Sequence, residues 1–237
     1  MTFNLPYCPS LKYNFKSLYD QFGRKVQNTF TDQTELILIK NFEENVLRLL
    51  KADKQEFYMV ELGCNQAYYS CLFYAMCLKH NKTPNVLLVE PNKDHYNRAV
   101  ETITANKFFN TKWSKSIVGD IEEISLSLDN STLPGGKNFL LNNSSSIVTL
   151  EELLKEQFKI DIDILHMDVD FSEWSVLSSS KDLFLNKNID LIFISTHSEE
   201  LHNKCKSFLL DAGYKLSFEE KRMIVGYDSL LIFNKSI

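Results

Sequence analysis

"MVELGCNQAYYS", residues Met59 to Ser70, decides the fold. A short apolar run ends in the acid Glu61, and one glycine, Gly63, precedes a small polar stretch and two tyrosines. The chain has only 7 glycines in 237 residues. One placed where an apolar run stops marks either a strand-to-helix turn or the floor of a cofactor site. "EFYMVEL" reads as a buried strand, and "QAYYSCLFYAMCLKHN" is long enough to be the helix that follows it.

The same alternation continues toward the C-terminus. "NVLLVEP" is a strand stopped by Pro91, and "NKDHYNRAVETITANKF" is a helix with Asn92 as its cap. "WSKSIVGD" reads as one weaker strand, "TLEELLKEQF" as a short helix and "IDILHMDV" as a strand. "FSEWSVLSSSKDLF" reads as one helix, "IDLIFIST" as a strand and "EELHNKCKSFLLDAG" as a helix ended by Gly213. "YKLSF" and "DSLLIFNK" are two last strands with no helix between them. Strands alternating with helices imply an α/β, Rossmann-like, mostly parallel sheet with helices on both faces, finished by an antiparallel hairpin. "SLSLDNSTLPGGKNFLLNNSSS" interrupts the pattern and reads as a loop.

On the N-terminal side, "TDQTELILIKNFEENVLRLLKADK" predicts a helix capped by Thr31 or Asp32, with Glu35 closing a capping box. Leu36, Ile39, Val46, Leu47 and Leu50 form its apolar stripe. Residues 1 to about 30 carry Pro6 and Pro9 without a clean period and read as an irregular arm. The expected division is a helical arm or lid over residues 1–50, able to cover the site or build a homodimer contact, and one main domain over 51–237.

A net charge of −5 argues against a nucleic-acid partner. "AYYSCLFYAMCL" is too short to cross a bilayer, which takes about 18 to 20 apolar residues. The start "MTFNLPYCPSLKYNF" lacks the pattern of a signal peptide, so the expected compartment is the cytoplasm. Cys8, Cys64, Cys71, Cys77 and Cys205 are odd in number with no CxxC pair, and read as free thiols, mostly buried.

Ligands of open parallel sheets bind beyond the carboxyl ends of the strands. Those ends read Glu61-Leu62-Gly63, Glu90-Pro91, Gly119-Asp120, Asp168-Val169-Asp170 and Ser195-Thr196-His197. A dinucleotide would want G-x-G-x-x-G, whereas this chain offers Gly63-Cys64-Asn65-Gln66-Ala67. Glu61, just before that turn, repels phosphate and attracts a cation. An amino-acid ammonium without phosphate, as in S-adenosylmethionine, fits better. Glu90 stands where ribose hydroxyls would be met, and Asp120 could accept from an adenine amino group with Ile121 against the ring. Gly63, Asn65, Tyr69, Gly119 and Asp168 complete the candidate cofactor set. The competing reading of Glu61, Glu90 and Asp120 is that each caps the helix after it. His166 reads as a satisfied core or sheet-face histidine, and His80, His95 and His202 as exposed helix residues. Tyr68, Tyr69 and Trp174 could pack on a sugar or fill helix interfaces.

"VELGCNQAYYS", "VLLVEPNKDHYNRAVETITAN", "VTLEELL", "DILHMDVDFSEWSVL" and "DLIFISTHSEELHNKCKSFLLDAGYKL" together resemble the FkbM family of S-adenosylmethionine-dependent methyltransferases, from about Glu56 to Phe218. In "HMDVDFSEW", Asp168, Asp170 and Glu173 match the three acids of the family's acid-V-E-G-A-E segment. Phe171 stands in place of the usual glycine there, and Ala67 in place of one in the first turn. The resemblance implies a class I methyltransferase fold with a seven-stranded sheet. It implies methyl transfer, usually to a hydroxyl of a sugar or nucleotide-linked sugar, in the biosynthesis of bacterial surface polysaccharide, capsule or natural products.

An alcohol acceptor loses a proton as the new bond forms, so a general base helps. His197 has the intrinsic pKa for that work, with Asp168 and Glu173 to orient it or the acceptor. A second reading makes Asp168, Asp170, Glu173 and His197 ligands of Mg or Mn. Three rival functions remain at this stage: N-methylation of an amino or phosphoramidate group, an NAD-dependent oxidoreductase, and a binding module without chemistry.

Overall fold

The structure, a computed structural model, describes residues 33–124, 146–221 and 229–235, with the side chains of 33–37 outside that description. The irregular arm, the cap of the first helix, the place of Leu36 in its stripe, Cys8 and the long loop therefore lie outside the described residues.

Among the described residues, seven strands form one sheet: β1 (Glu56–Leu62), β2 (Thr83–Val89), β3 (Thr111–Ser114), β6 (Ile162–Met167), β7 (Ile189–Thr196), β8 (Tyr214–Glu220) and β9 (Ser229–Lys235). Their spatial order is β3-β2-β1-β6-β7-β9-β8. β1 is parallel to β2 and β6, β2 to β3, and β6 to β7. β9 runs antiparallel to both β7 and β8, so the last strand in sequence is inserted next to β7. The expected sheet is there, with the hairpin's second strand inside.

One face is covered by α1 (Gln33–Leu49), α2 (Tyr68–Lys79) and α3 (Lys93–Asn106). The other is covered by α4 (Leu150–Gln157), α5 (Glu173–Ser179), α6 (Lys181–Leu185) and α7 (Glu199–Asp211). Alternation along each strand builds the two cores. In β1, Phe57 and Met59 face the first and Val60 and Leu62 the second. α2 is buried nearly all round, which is why its sequence lacks an amphipathic period. α1 buries Ile39, Phe42, Val46 and Leu50 in the first core, and Phe42 meets the rings of Tyr69 and Phe193 at 5.1 and 5.0 Å. Leu47 is only partly buried, and Phe42 is the stripe residue the sequence reading passed over.

Three local expectations are corrected. "WSKSIVGD" is two strands: β3 pairs with β2, and β4 (Ile117–Val118) leaves to pair with β5 (Ile147–Val148). The kink is Ser114-Lys115-Ser116, where the Ser114 hydroxyl donates to the Ser116 hydroxyl at 2.9 Å. "FSEWSVLSSSKDLF" breaks into α5 and α6 at Ser180. Ser180 leaves helical geometry, and its buried hydroxyl accepts from the Glu151 amide in the first turn of α4. His202 is not exposed but 1% accessible, on the inner face of α7 with Cys205 and Leu209.

Candidate active site

The turn after β1 is held from both sides. The Gly63 and Cys64 amides donate to the Val89 carbonyl of β2, and the Asp168 amide donates to the Leu62 carbonyl. Gly63 has φ +72°, and an added Cβ would lie 1.8 Å from the Asp168 carbonyl oxygen. Only glycine permits that approach of the first turn to the end of β6. Asn65 and Ala67 follow at φ 44° and 59°, both left-handed. Gly63 is where two strand ends touch.

Glu61 differs from its reading as an ammonium partner. It is 2% accessible and lies under the first turn of α2, accepting from the Ser70 amide at 3.0 Å and from the Ser70 hydroxyl. It serves as the buried cap of α2, which otherwise has no N-cap side chain of its own. Burial pushes its carboxyl up to about 8, against the pull of the Ser70 hydrogen bonds.

Glu90, at the end of β2, is buried, with one oxygen accepting from the Asn65 amide at 3.0 Å and the other from the Asn92 amide at 2.9 Å. Burial raises its carboxyl, those two amides oppose the shift, and the charge of Asp170 adds to it. Asn92 caps α3 as expected. Asp120 accepts from the Glu122 and Glu123 amides, and its own amide donates to the Ser175 hydroxyl at 2.7 Å. Gly119, at φ +143°, makes room for Ser175, whose oxygen would lie 2.5 Å from an added Cβ. Ile121, beside Asp120, leaves 59% of its surface exposed. Tyr69 turns into the first core and stacks on His166 with ring centroids 4.2 Å apart. His166 is buried in the core as expected, but its Nδ1 is unpartnered among the described residues, and burial lowers its pKa to about 3.

The ends of β6 and β7 are built differently. His197 follows β7 with 11% of its side chain exposed, and its Nδ1 meets the Glu173 carboxylate of α5, which is fully buried. Its Nε2 faces Asp168 Oδ1 at 3.4 Å and Asp170 Oδ1 at 3.3 Å, on side chains 42% and 83% exposed. Glu173 thus stands in the first turn of α5 but out of solvent. Its second oxygen, Oε2, is buried without a partner among the described residues. The Phe171 ring lies 5.5 Å from that of His197. Asp170 and Phe171 both have positive φ, 41° and 70°.

This geometry does not support the metal reading. Among the described residues no group of three His, Cys, Asp or Glu is placed to hold an ion. The imidazole lies between Glu173 on one nitrogen and the two aspartates on the other, so the donors converge on His197 rather than on a shared point. Trp174 packs edge-on against Phe208, under the Lys204 ammonium, and its Nε1–H donates to Glu123. The thiols Cys64, Cys71, Cys77 and Cys205 are free and buried.

This sheet order, with strand-end acids around a β1 turn, defines a Rossmann-like methyltransferase fold. The family model "Methyltransferase FkbM domain" matches residues 61–216. The chain belongs to that family and is an S-adenosylmethionine-dependent methyltransferase. Among solved structures it is similar to a methyltransferase FkbM from Methylobacillus flagellatus KT, with TM-score 0.55 and 14% identity over 76% of this chain and 44% of that one. It is also similar to the METTL16 MTase domain, with TM-score 0.54 and 16% identity over 83% of this chain and 67% of that one. The N-terminal domain of human METTL16 in complex with SAH matches with TM-score 0.53 and 15% identity, over 84% of this chain and 69% of that one. The chain thus spans less than half of the FkbM structure. No curated protein matches it in sequence. No described helix is long and apolar enough to cross a membrane.

Proposed function

We propose that the protein methylates a hydroxyl oxygen of a sugar or nucleotide-linked sugar, with His197 as general base. The observation that carries the reading is the Glu173–His197 pair. A buried carboxylate on Nδ1 selects the tautomer with its proton there, which leaves the Nε2 lone pair toward Asp168 and Asp170. Two aspartates facing that lone pair disfavour leaving it bare. A polyol resolves the conflict: one hydroxyl donates to Nε2 while neighbouring hydroxyls donate to Asp168 and Asp170. As the acceptor proton moves to Nε2, Glu173 stabilises the imidazolium.

The residues at the other strand ends fit the cofactor. The turn 63–67, Glu90 for ribose hydroxyls, and Gly119, Asp120 and exposed Ile121 for adenine would hold it, with Glu61 and Tyr69 supporting the turn from beneath. When bound, S-adenosylmethionine supplies an electrophilic methyl group on sulfur. Much of the acceleration then comes from how these side chains orient and desolvate the acceptor oxygen.

The test is methyl transfer from radiolabelled S-adenosylmethionine to a panel of sugars and nucleotide sugars. His197→Ala is expected to lower kcat by roughly 10²–10⁴-fold, with cofactor affinity by calorimetry unchanged. Nearly full activity in that variant would overturn the base and favour a nitrogen acceptor.

A further inference from the structure

His202 lies five residues beyond His197, sealed inside the protein on α7, and neither the cofactor nor the acceptor reading uses it. Its Nδ1 is 2.8 Å from the Thr196 hydroxyl at the end of β7, and its Nε2 is 3.0 Å from Glu219 Oε1 on β8. Glu219 also accepts from Lys206 at 2.5 Å, and Lys221 lies 3.9 Å away. The Lys206 hydrogen bond, first among the causes, holds the Glu219 carboxyl below its ordinary value. An ionised carboxylate only accepts, so Nε2 carries a proton. The Thr196 hydroxyl also reaches the Ser229 carbonyl of β9 at 3.2 Å. Thr196 is thus gripped by α7 and by β9, and Thr196 is bonded directly to His197.

We propose that His202 is a positioning residue for His197: through Thr196 and Glu219 it ties the end of β7 to β8 and fixes the point from which the His197 imidazole reaches Glu173. The inference rests on reading His197 as the base. The Ser198 hydroxyl, which accepts from the Leu201 amide at 3.1 Å, caps α7 separately, so the His202 contacts are not needed to start the helix.

Nitrogen–proton correlation spectra of the imidazoles test this without an acceptor, because the His197 Nδ1 proton bonded to Glu173 is itself the readout. Thr196→Val, which keeps shape and removes the hydroxyl, is expected to lose or shift that signal. His202→Gln, whose amide takes the place of Nε2 and leaves Thr196 without its α7 partner, is expected to do the same. His202→Asn, whose amide takes the place of Nδ1, is expected to retain it. Binding of S-adenosylmethionine by calorimetry confirms that each variant is folded. A folded Thr196→Val protein with an unchanged His197 signal overturns the inference and leaves the base reading standing. Full activity of His197→Ala overturns the base reading on its own.

Discussion

The two halves of the strand-end edge use the same residue type for different ends. At β1, β2 and the start of residues 121–124, Glu61, Glu90 and Asp120 all accept from backbone amides. They shape the chain, and their oxygens reach a ligand only from positions fixed by that work. At β6 and β7, Asp168, Asp170 and Glu173 face one imidazole. In the proposed mechanism they set where a proton goes. The same carboxylate holds the backbone where amides are free and pairs with a side chain where a histidine is within reach. Residue type at a strand end therefore does not tell the two roles apart; the neighbouring donor does.

Gly63 joins the halves, and changing it is the harshest way to break the contrast. Gly63→Ala drives a Cβ into the Asp168 carbonyl at a left-handed position. The expected loss is about 3 kcal/mol or more, read from urea unfolding, and both halves should fail together. Glu90→Gln separates them. One backbone amide would then face an amide donor, and the expected outcome is cofactor binding weakened roughly tenfold or more in calorimetry, with His197 spectra unchanged. Equal damage to the His197 signal would show that the halves are not independent.

Buried Glu61 and His166, cross-strand neighbours on β1 and β6, give opposite pH dependences. Glu61 is raised from 4.5 to about 8, mainly by burial, so its contribution to stability is complete below 4.5 and is lost as pH rises through about 8. His166 is lowered from 6.5 to about 3 by burial, so its contribution is present above 6.5 and is lost as pH falls toward 3. Each slope is at most about 1.4 kcal/mol per pH unit. Urea midpoints followed across pH should show Glu61→Gln flattening the alkaline arm and His166→Phe flattening the acid arm. Retention of both slopes in the double variant would remove these two groups as their source.

The smallest effect is expected at Ala67, left-handed and fully buried at the N-cap of α2. Ala67→Gly relieves the backbone and loses one methyl from the core, so unfolding should shift by no more than about 1 kcal/mol.

What the sequence showed follows from how local each feature is. The β1 run, the Gly63 turn and the Asn92 cap are written in adjacent residues and were legible. The departure of β4 toward β5 was not, because Ile117 finds Ile147 thirty positions away. His197 and Glu173 were nameable as types at strand and helix ends, but their contact bridges 24 residues and needs the folded sheet. The burial of His202 was missed although a signal existed: His202, Cys205 and Leu209 share one helical face. Phe171 and Ala67, marked only as replacements for family glycines, occupy positive φ at 70° and 59°. That backbone demand explains why glycine is usual at both places, and single residues do not announce their own dihedrals.

The insertion of β9 also orders the protein's birth. During synthesis β1, β2, β3 and β6 can pair as they emerge, but β7 keeps one bare edge until Ser229–Lys235 arrives. That edge presents Ile192, Phe193 and Ile194, a run suited to pairing with any passing strand. The half built on β1 and β2 can thus mature on the ribosome while the half that carries the histidine waits for the last strand, and a chain stalled before Ser229 would be a template for aggregation rather than a slow enzyme.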